Sequence, residues 1–305
     1  MARFSLRQLE LLAELPRHST LGSAATEMNI SESALSQAIT AVERIAGEQL
    51  CVRRKSHGVR MTPAGQYFAA RAARIVADSE ELADSFPRSD GALRGPVSIG
   101  CFASIASYVV PSMLEGFRTL HPGIDVTVRV GTHDDLLPAL ENGELDLALV
   151  YDLLLPTGFA KRVIYETRLE VVLHPGHPLA AKNSITLAEL QDEPLINYEA
   201  SPSTENTRRL FSEAGLHPNV AYSLPQVVLV NAMVGRGLGY ALLYARPNNP
   251  PHTLDGLPVA IRQLEPPNSP SAVVAIWPRT STPGPRAEAL LEHCITAMDG
   301  AWGRN

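Results

Sequence analysis

The chain has 305 residues, 45% hydrophobic, 19% charged and 6% aromatic, enough for about two ordinary domains and unlike a disordered or membrane-embedded polypeptide. Its formal charge of −6 is unevenly spread: residues 1–76 hold ten Arg/Lys against six Asp/Glu, the remainder sixteen against twenty-six. A mildly basic head precedes an acidic body. Cys51, Cys101 and Cys294 lie too far apart for a disulfide framework or a zinc site. With no leader-like start and no long apolar stretch, a cytoplasmic protein without membrane contact, metal or cofactor is expected.

In the head, Leu6, Leu9, Leu12 and Ala13 mark one helical face, and Leu21, Ala24, Ala25 and Met28 a second. A short turn, Asn29-Ile30-Ser31, leads to a third face of Leu35, Ile39, Val42 and Ala46, with Ser31 as its cap. That spacing is a helix-turn-helix. Period-two runs around Leu50–Val52 and Val59–Met61, separated by Lys55-Ser56-His57-Gly58, predict a hairpin wing. Thr62-Pro63 then starts a long helix, on which Phe68, Ala72, Ile75, Ser79, Leu82 and Phe86 repeat at heptad spacing. A seam of this kind pairs two subunits, or packs on its own head.

Past a Ser/Gly/Pro-rich boundary at 87–96, β-rich runs alternate with helical ones. They are Pro96–Gly100, a helix to Leu120, Ile124–Val130, a helix at Asp134–Asn142 and Leu145–Val150. The series resumes with Leu169–Leu173, Leu187–Leu190, Pro194–Asn197, Glu205–Ala214, Val220–Leu224, Gln226–Arg236 and Leu238–Leu243, then strands at Pro258–Gln263 and Ala272–Trp277 and a closing helix within Pro285–Met298. Such alternation predicts mostly parallel sheets covered by helices. The run Pro247–Pro251 reads as a loop.

The N-terminal part of a recognition helix enters the major groove. Its exposed positions here are Ser33, Ser36, Gln37 and Thr40, with Ser31 at its start and the Ala34 methyl suited to thymine. Gln37 suits adenine, while Arg44, Arg53, Arg54 and Lys55 suit phosphates. Taken singly, each could be an ordinary solvated face.

Taken together, Leu6-Arg7-Gln8-Leu9, Thr20-Leu21-Gly22-Ser23-Ala24-Ala25, Ile30 through Ile39, Val42-Glu43, Arg53 and Met61-Thr62-Pro63-Ala64-Gly65 resemble the LysR-type regulators. Gly95–Gly100, Gly143–Ala148 and Val234–Gly239 are similar to the family's landmarks in the body. Departures are Leu21 for Phe, Gln37 for a basic residue, Ala46 for Leu and Cys51 for Phe. The resemblance implies an N-terminal all-α winged helix-turn-helix (1–62) with a linker helix (63–88), and an α/β two-lobed periplasmic-binding-protein-like effector domain (95–305). Lobe I would span about 95–164 and 268–305, and lobe II about 165–267. It also implies double-stranded DNA with an interrupted inverted repeat as partner, a homodimer through the linker helix, a homotetramer, and RNA polymerase as a further candidate partner.

Crevices at the carboxyl ends of strands, beside helix N-termini, take anionic ligands. Segments 100–104, 131–133 and 198–204 have that chemistry. By resemblance, Ser104 and Thr132 contact an effector from one side, and Ser203 and Pro225 from the other. Ser201 offers a further hydroxyl, and Phe102 and Tyr198 an apolar wall. A small carboxylate is expected, with Arg168 or Arg236 as its cation. Lobe crossings near Ile164-Tyr165-Glu166 and Glu265-Pro266-Pro267 would let binding change the lobe angle.

The alternatives are an enzyme and a solute-binding protein for a small carboxylate. His174-Pro175-Gly176-His177-Pro178 lacks a third metal ligand and reads as a loop. Neither Cys101 nor Ser104 has an identifiable base. The DNA-reading head opposes a transport role.

Overall fold

The computed structural model describes residues 4–54, 58–84, 92–246, 250–266 and 271–302. They divide into two compact units, one spanning 1–94 with 139–145, the other 95–138 with 146–305.

The first unit opens with α1 (Leu6–Glu14), started by a reciprocal cap between Ser5 and Gln8. Helix α2 (Leu21–Glu27) is capped by Thr20, and α3 (Glu32–Ala46) by Ser31, which accepts from Ala34 N at 3.2 Å. Between α2 and α3 the chain turns through Asn29 at φ 54°, a left-handed conformation that asparagine tolerates. Leu12, Leu15, Ala24, Leu35, Ile39 and Val42 fill the core. Ala46, expected on that apolar face, is exposed, because the last turn of α3 runs past the packed helices to the Gly47 cap.

Strands β1 (Cys51–Arg54) and β2 (Gly58–Met61) pair antiparallel as the wing. Both are tied to the helices: Val59 N donates to Ser19 O at 2.9 Å, and Glu43 Oε1 accepts from Leu50 N and Cys51 N at 2.9 and 3.1 Å. Helix α4 (Pro63–Asp84) begins at Thr62, whose Oγ1 accepts from Gly65 N at 2.9 Å. Phe68 joins the head core edge-on to Phe4, with ring centroids 5.3 Å apart, and Ala72 is buried. The first half of the expected dimer seam thus packs at home, while Ile75 is 50% exposed. Phe86 and the Leu82 side chain lie outside the described residues.

The second unit has two lobes. Lobe I contains β3 (Arg94–Phe102), β4 (Gly123–Gly131), β5 (Leu147–Tyr151), β6 (Phe159–Thr167) and β13 (Ser271–Pro278), in the order β4-β3-β5-β13-β6. Its helices are α5 (Ala103–Leu114), α6 (Phe117–Leu120), α7 (His133–Asn142) and α11 (Pro285–Trp302). The helix expected to reach Leu120 unbroken is interrupted at Gly116, which sits at φ 76°. Asp146 explains one landmark of the sequence: its carboxylate accepts from Ser98 N at 2.7 Å and its own N donates to Ser98 O, locking β5 onto β3.

Lobe II holds β7 (Leu169–Leu173), β8 (Ser184–Thr186), β9 (Pro194–Tyr198), β10 (Asn219–Leu224), β11 (Ala241–Tyr244) and β12 (Ala260–Glu265). One sheet runs β11-β7-β12-β8, and β9 pairs with β10. A bridge between Leu195 and Tyr240 joins the two. Helices α8 (Leu187–Leu190), α9 (Ser203–Glu213) and α10 (Val227–Val234) complete the lobe. Leu169, Val171, Leu173, Leu195, Phe211 and Tyr240 form its core.

Two expectations are corrected. The sheets are mixed: β3–β5, β9–β10 and β12–β8 are parallel, but β5–β13, β13–β6, β7–β11 and β7–β12 are antiparallel, because β13 in lobe I and β7 in lobe II run against their neighbours. The first crossing lies at Arg168, not at Ile164-Tyr165-Glu166, since β6 stays paired with β13 through Thr167. The second falls between Glu265 and Ser271, with Pro267 outside the described residues.

Candidate functional site

On α3, Leu35, Ile39 and Val42 are fully buried, so the opposite face is turned outward. Ser33, Ala34, Gln37, Thr40 and Arg44 are exposed there, and Ser36 is half-buried. Ser31 and Ser33 bond to each other at 3.1 Å, and Thr40 Oγ1 donates to Ser36 O at 2.9 Å. The result is a polar stripe with a helix N-terminus at one end and a cation at the other, the form of a major-groove reader. Arg53 and Arg54 stand on β1, with side chains outside the described residues, as is Lys55 altogether.

In the second unit, a narrow cavity open to solvent lies at the carboxyl ends of β3, β5, β9 and β11. Ser104 and Tyr151 line it from lobe I; Tyr198, Ser203, Asn206 and Tyr244 do so from lobe II. The two helices that begin there, α5 and α9, carry no side-chain cap, unlike α1, α2 and α3. Ser104 and Ser203 occupy their first turns. Uncapped amides of this kind favour negative charge.

Among the described residues, the Lys or Arg that lines this cavity is Arg246, which sequence reasoning missed. The residue before it is fixed at the lobe crossing: Ala245 N donates to Arg168 O, and Thr167 Oγ1 donates to Ala245 O, both at 2.8 Å. Arg246 lies two residues past the end of β11, so the same carboxyl-end rule could have found it. Arg168 instead lies near Glu170 at 3.5 Å with its side chain 64% exposed, and Arg236 pairs with Asp255 at 2.5 Å outside the cavity. Neither supplies the expected cation of the cleft.

Ser104, Tyr198 and Ser203 come together in the cavity; Phe102, Thr132, Ser201 and Pro225 are not among its lining. Phe102 is fully buried behind it, edge-on to Tyr151 and His133, and so presents no free wall. Thr132 donates through Oγ1 to Asp135 at 2.9 Å, which makes it part of the start of α7. Ser201 serves through its backbone: His133 N donates to Ser201 O at 3.2 Å, a direct bond between the lobes. Pro225 is exposed.

Hydroxyls form a network behind the cavity. Ser104 Oγ donates to Tyr151 Oη at 3.4 Å, Tyr108 and Tyr165 share a bond of 2.5 Å, and Asn206 donates to Tyr244 Oη at 3.2 Å. Burial pushes the phenols of Tyr108, Tyr151 and Tyr165 far up, and that of Tyr198 up to about 12. They stay neutral donors and acceptors. Burial likewise pushes Cys294 up to about 12 and Cys101 higher still, so neither thiol is primed as a nucleophile. His174 Nδ1 accepts from Gly176 N, and His177 caps Leu179 while facing Glu193. Both histidines therefore shape a turn. Among the described residues no group of three or more His, Cys, Asp or Glu could hold a metal, and no helix is long and apolar enough to cross a membrane.

Residues 6–66 match the bacterial regulatory helix-turn-helix protein, lysR family, and residues 90–299 match the LysR substrate binding domain. The regulator MetR of Escherichia coli is 31% identical over 240 residues, 78% of this chain and 74% of its own length. HinK, a LysR family transcriptional regulator from Pseudomonas aeruginosa, superposes with a TM-score of 0.63 at 29% identity, covering 96% of this chain and 98% of that one. CbnR, solved with its target DNA, shares the fold at 21% identity and a TM-score of 0.54, covering 96% and 99%. The chain belongs to the LysR family of transcriptional regulators, with a helix-turn-helix domain and a two-lobed effector-binding domain.

Proposed function

We propose that this regulator reads an interrupted inverted repeat in double-stranded DNA through the α3 stripe, and that a small carboxylate bound between its lobes switches the outcome. The observation that carries the effector reading is Arg246. It lies at the lobe crossing, in a cavity lined by both lobes and entered by two uncapped helix N-termini. A carboxylate there would touch charge and amides together. Because Arg246 follows the crossing strand, its engagement would bias the lobe angle, provided the ligand binds the two arrangements unequally.

On DNA, Gln37 would read a base edge, supported by Ser33, Ala34, Ser36 and Thr40, while Ser31 sets the helix start and Arg44 meets a phosphate. The wing residues Arg53, Arg54 and Lys55 complete the phosphate contacts. CbnR was solved on its target DNA, which supports the same role for this head. The assembly would be a dimer through α4 and a tetramer of two such pairs, working in the cytoplasm alongside RNA polymerase. Turnover is not part of this reading: burial holds the Cys101 and Cys294 thiols and the Tyr151 phenol in their protonated forms.

Footprinting on the chain's own upstream region, with and without a panel of small carboxylates, tests the proposal. An acid that alters the footprint of the wild type but not of Arg246→Ala supports it. Protection that Gln37→Ala and Arg44→Ala leave untouched would remove α3 as the reader.

A further inference from the structure

The effector cavity contains a second charge, of the opposite sign. Glu170 on β7 lines it together with Arg246, on a side that also carries Val172, Leu243, Val259 and Ile261. In the sheet, Glu170 sits opposite Leu243 on β11 and Gln263 on β12, so backbone pairing on both flanks fixes its position. Its side chain is only 12% exposed.

A carboxylate so withdrawn from water needs a cationic partner. Arg168 approaches it through Nε at 3.5 Å from a side chain that is 64% exposed, so water screens much of that attraction, and Arg246 adds a further pull from the same cavity. Burial accordingly raises the Glu170 pKa, with Arg168 and Arg246 pulling it back only in part. A ligand that placed a cation at Glu170 would recover the lost solvation.

Resting on the effector reading above, we infer that the effector is zwitterionic: an amino acid whose carboxylate meets Arg246 and the α5 and α9 amides, whose ammonium meets Glu170, and whose apolar side chain lies against Val172, Leu243 and Ile261. A simple carboxylate adds a second negative charge beside Glu170 and faces its repulsion. A simple amine leaves the helix N-termini empty.

The test uses the full-length protein. Thermal shift screens it against the proteinogenic amino acids with apolar side chains, their deaminated acids and their decarboxylated amines, and calorimetry then measures the ligands that shift it. The expected result is an amino acid that binds more tightly than its deaminated acid by about tenfold or more, the worth of one charge-assisted hydrogen bond. Glu170→Gln should abolish that preference and raise the affinity for the acid, whose carboxylate no longer meets a like charge. If the acid binds the wild type as well as the amino acid does, the zwitterion is refuted while the carboxylate site stands. If none of these compounds binds, both fall. The wild-type ratio decides the matter even where Glu170→Gln folds poorly.

Discussion

Gly65, the third residue of α4, passes tightly over Leu50: a Cβ built there would lie 1.8 Å from Leu50 O. No side chain fits, which is the physical content of the Thr62-Pro63-Ala64-Gly65 motif. Gly65→Ala should cost about 1–3 kcal/mol through forced separation of α4 from β1. A lower melting temperature of the full chain and weaker operator binding are expected, and an unchanged melt would contradict the packing. His133 makes a different prediction. Its ring is 3% exposed and its Nε2 has no partner among the described residues. Burial lowers its pKa from 6.5 to about 4, with the Asp134 carboxylate pulling the other way. Between those values the unfolded chain binds more protons than the fold, so stability is fully present above 6.5 and is lost as pH falls toward 4. His133→Leu removes an unsatisfied polar atom and this proton linkage together. Melting of the variant should fall less on acidification than that of the wild type, and parallel slopes would refute the assignment.

The elements differ in how openly the sequence announces them. Helices α3 and α4 were legible because each begins at a capping residue followed by a 3.6-residue apolar pattern, and Ser31 and Thr62 cap as expected; α2 was legible from its apolar pattern, and its Thr20 cap came from the structure. Strand β6 was not, since what makes it a strand is its partner β13 more than a hundred residues later, with Val274 opposite Val163. Strand direction is equally non-local, which is why the mixed sheets were read as parallel. In the site, Ser104, Tyr198 and Ser203 stand beside strand ends that lead into helices and could be found; Arg246 precedes a proline-rich run with no helix start to mark it. Glu43 was legible only as part of a resemblance, yet it is the hinge between reader and wing, accepting from two successive amides of the wing. Glu43→Ala would leave Leu50 N and Cys51 N without that acceptor, at about 1–3 kcal/mol each if they stay buried. Its operator affinity should fall without a change in which bases are protected. A changed base preference instead would mean that Glu43 acts on α3 itself.

At the scale of the assembly, the split behaviour of α4 limits where two copies can meet. Phe68 and Ala72 are already spent on packing, and Tyr67, though 57% exposed, lies near the Arg71 guanidinium, whose carbon is 5.6 Å from the ring centroid. Ile75 is the first apolar seam residue left open. A dimer through this helix must therefore form from Ile75 onward, and the heads before it stay free to engage separate half-sites. Two half-sites bound by one dimer gain from effective concentration, so breaking the dimer should weaken operator binding by about 10²–10⁴-fold with no change at any DNA-contacting residue. Ile75→Arg supplies that break by placing like charges across the pair. Analytical ultracentrifugation should show smaller assemblies, and each half-site alone should be bound as weakly by the variant as by the wild type. Retention of the wild-type assembly together with full operator affinity would take α4 out of the subunit interface.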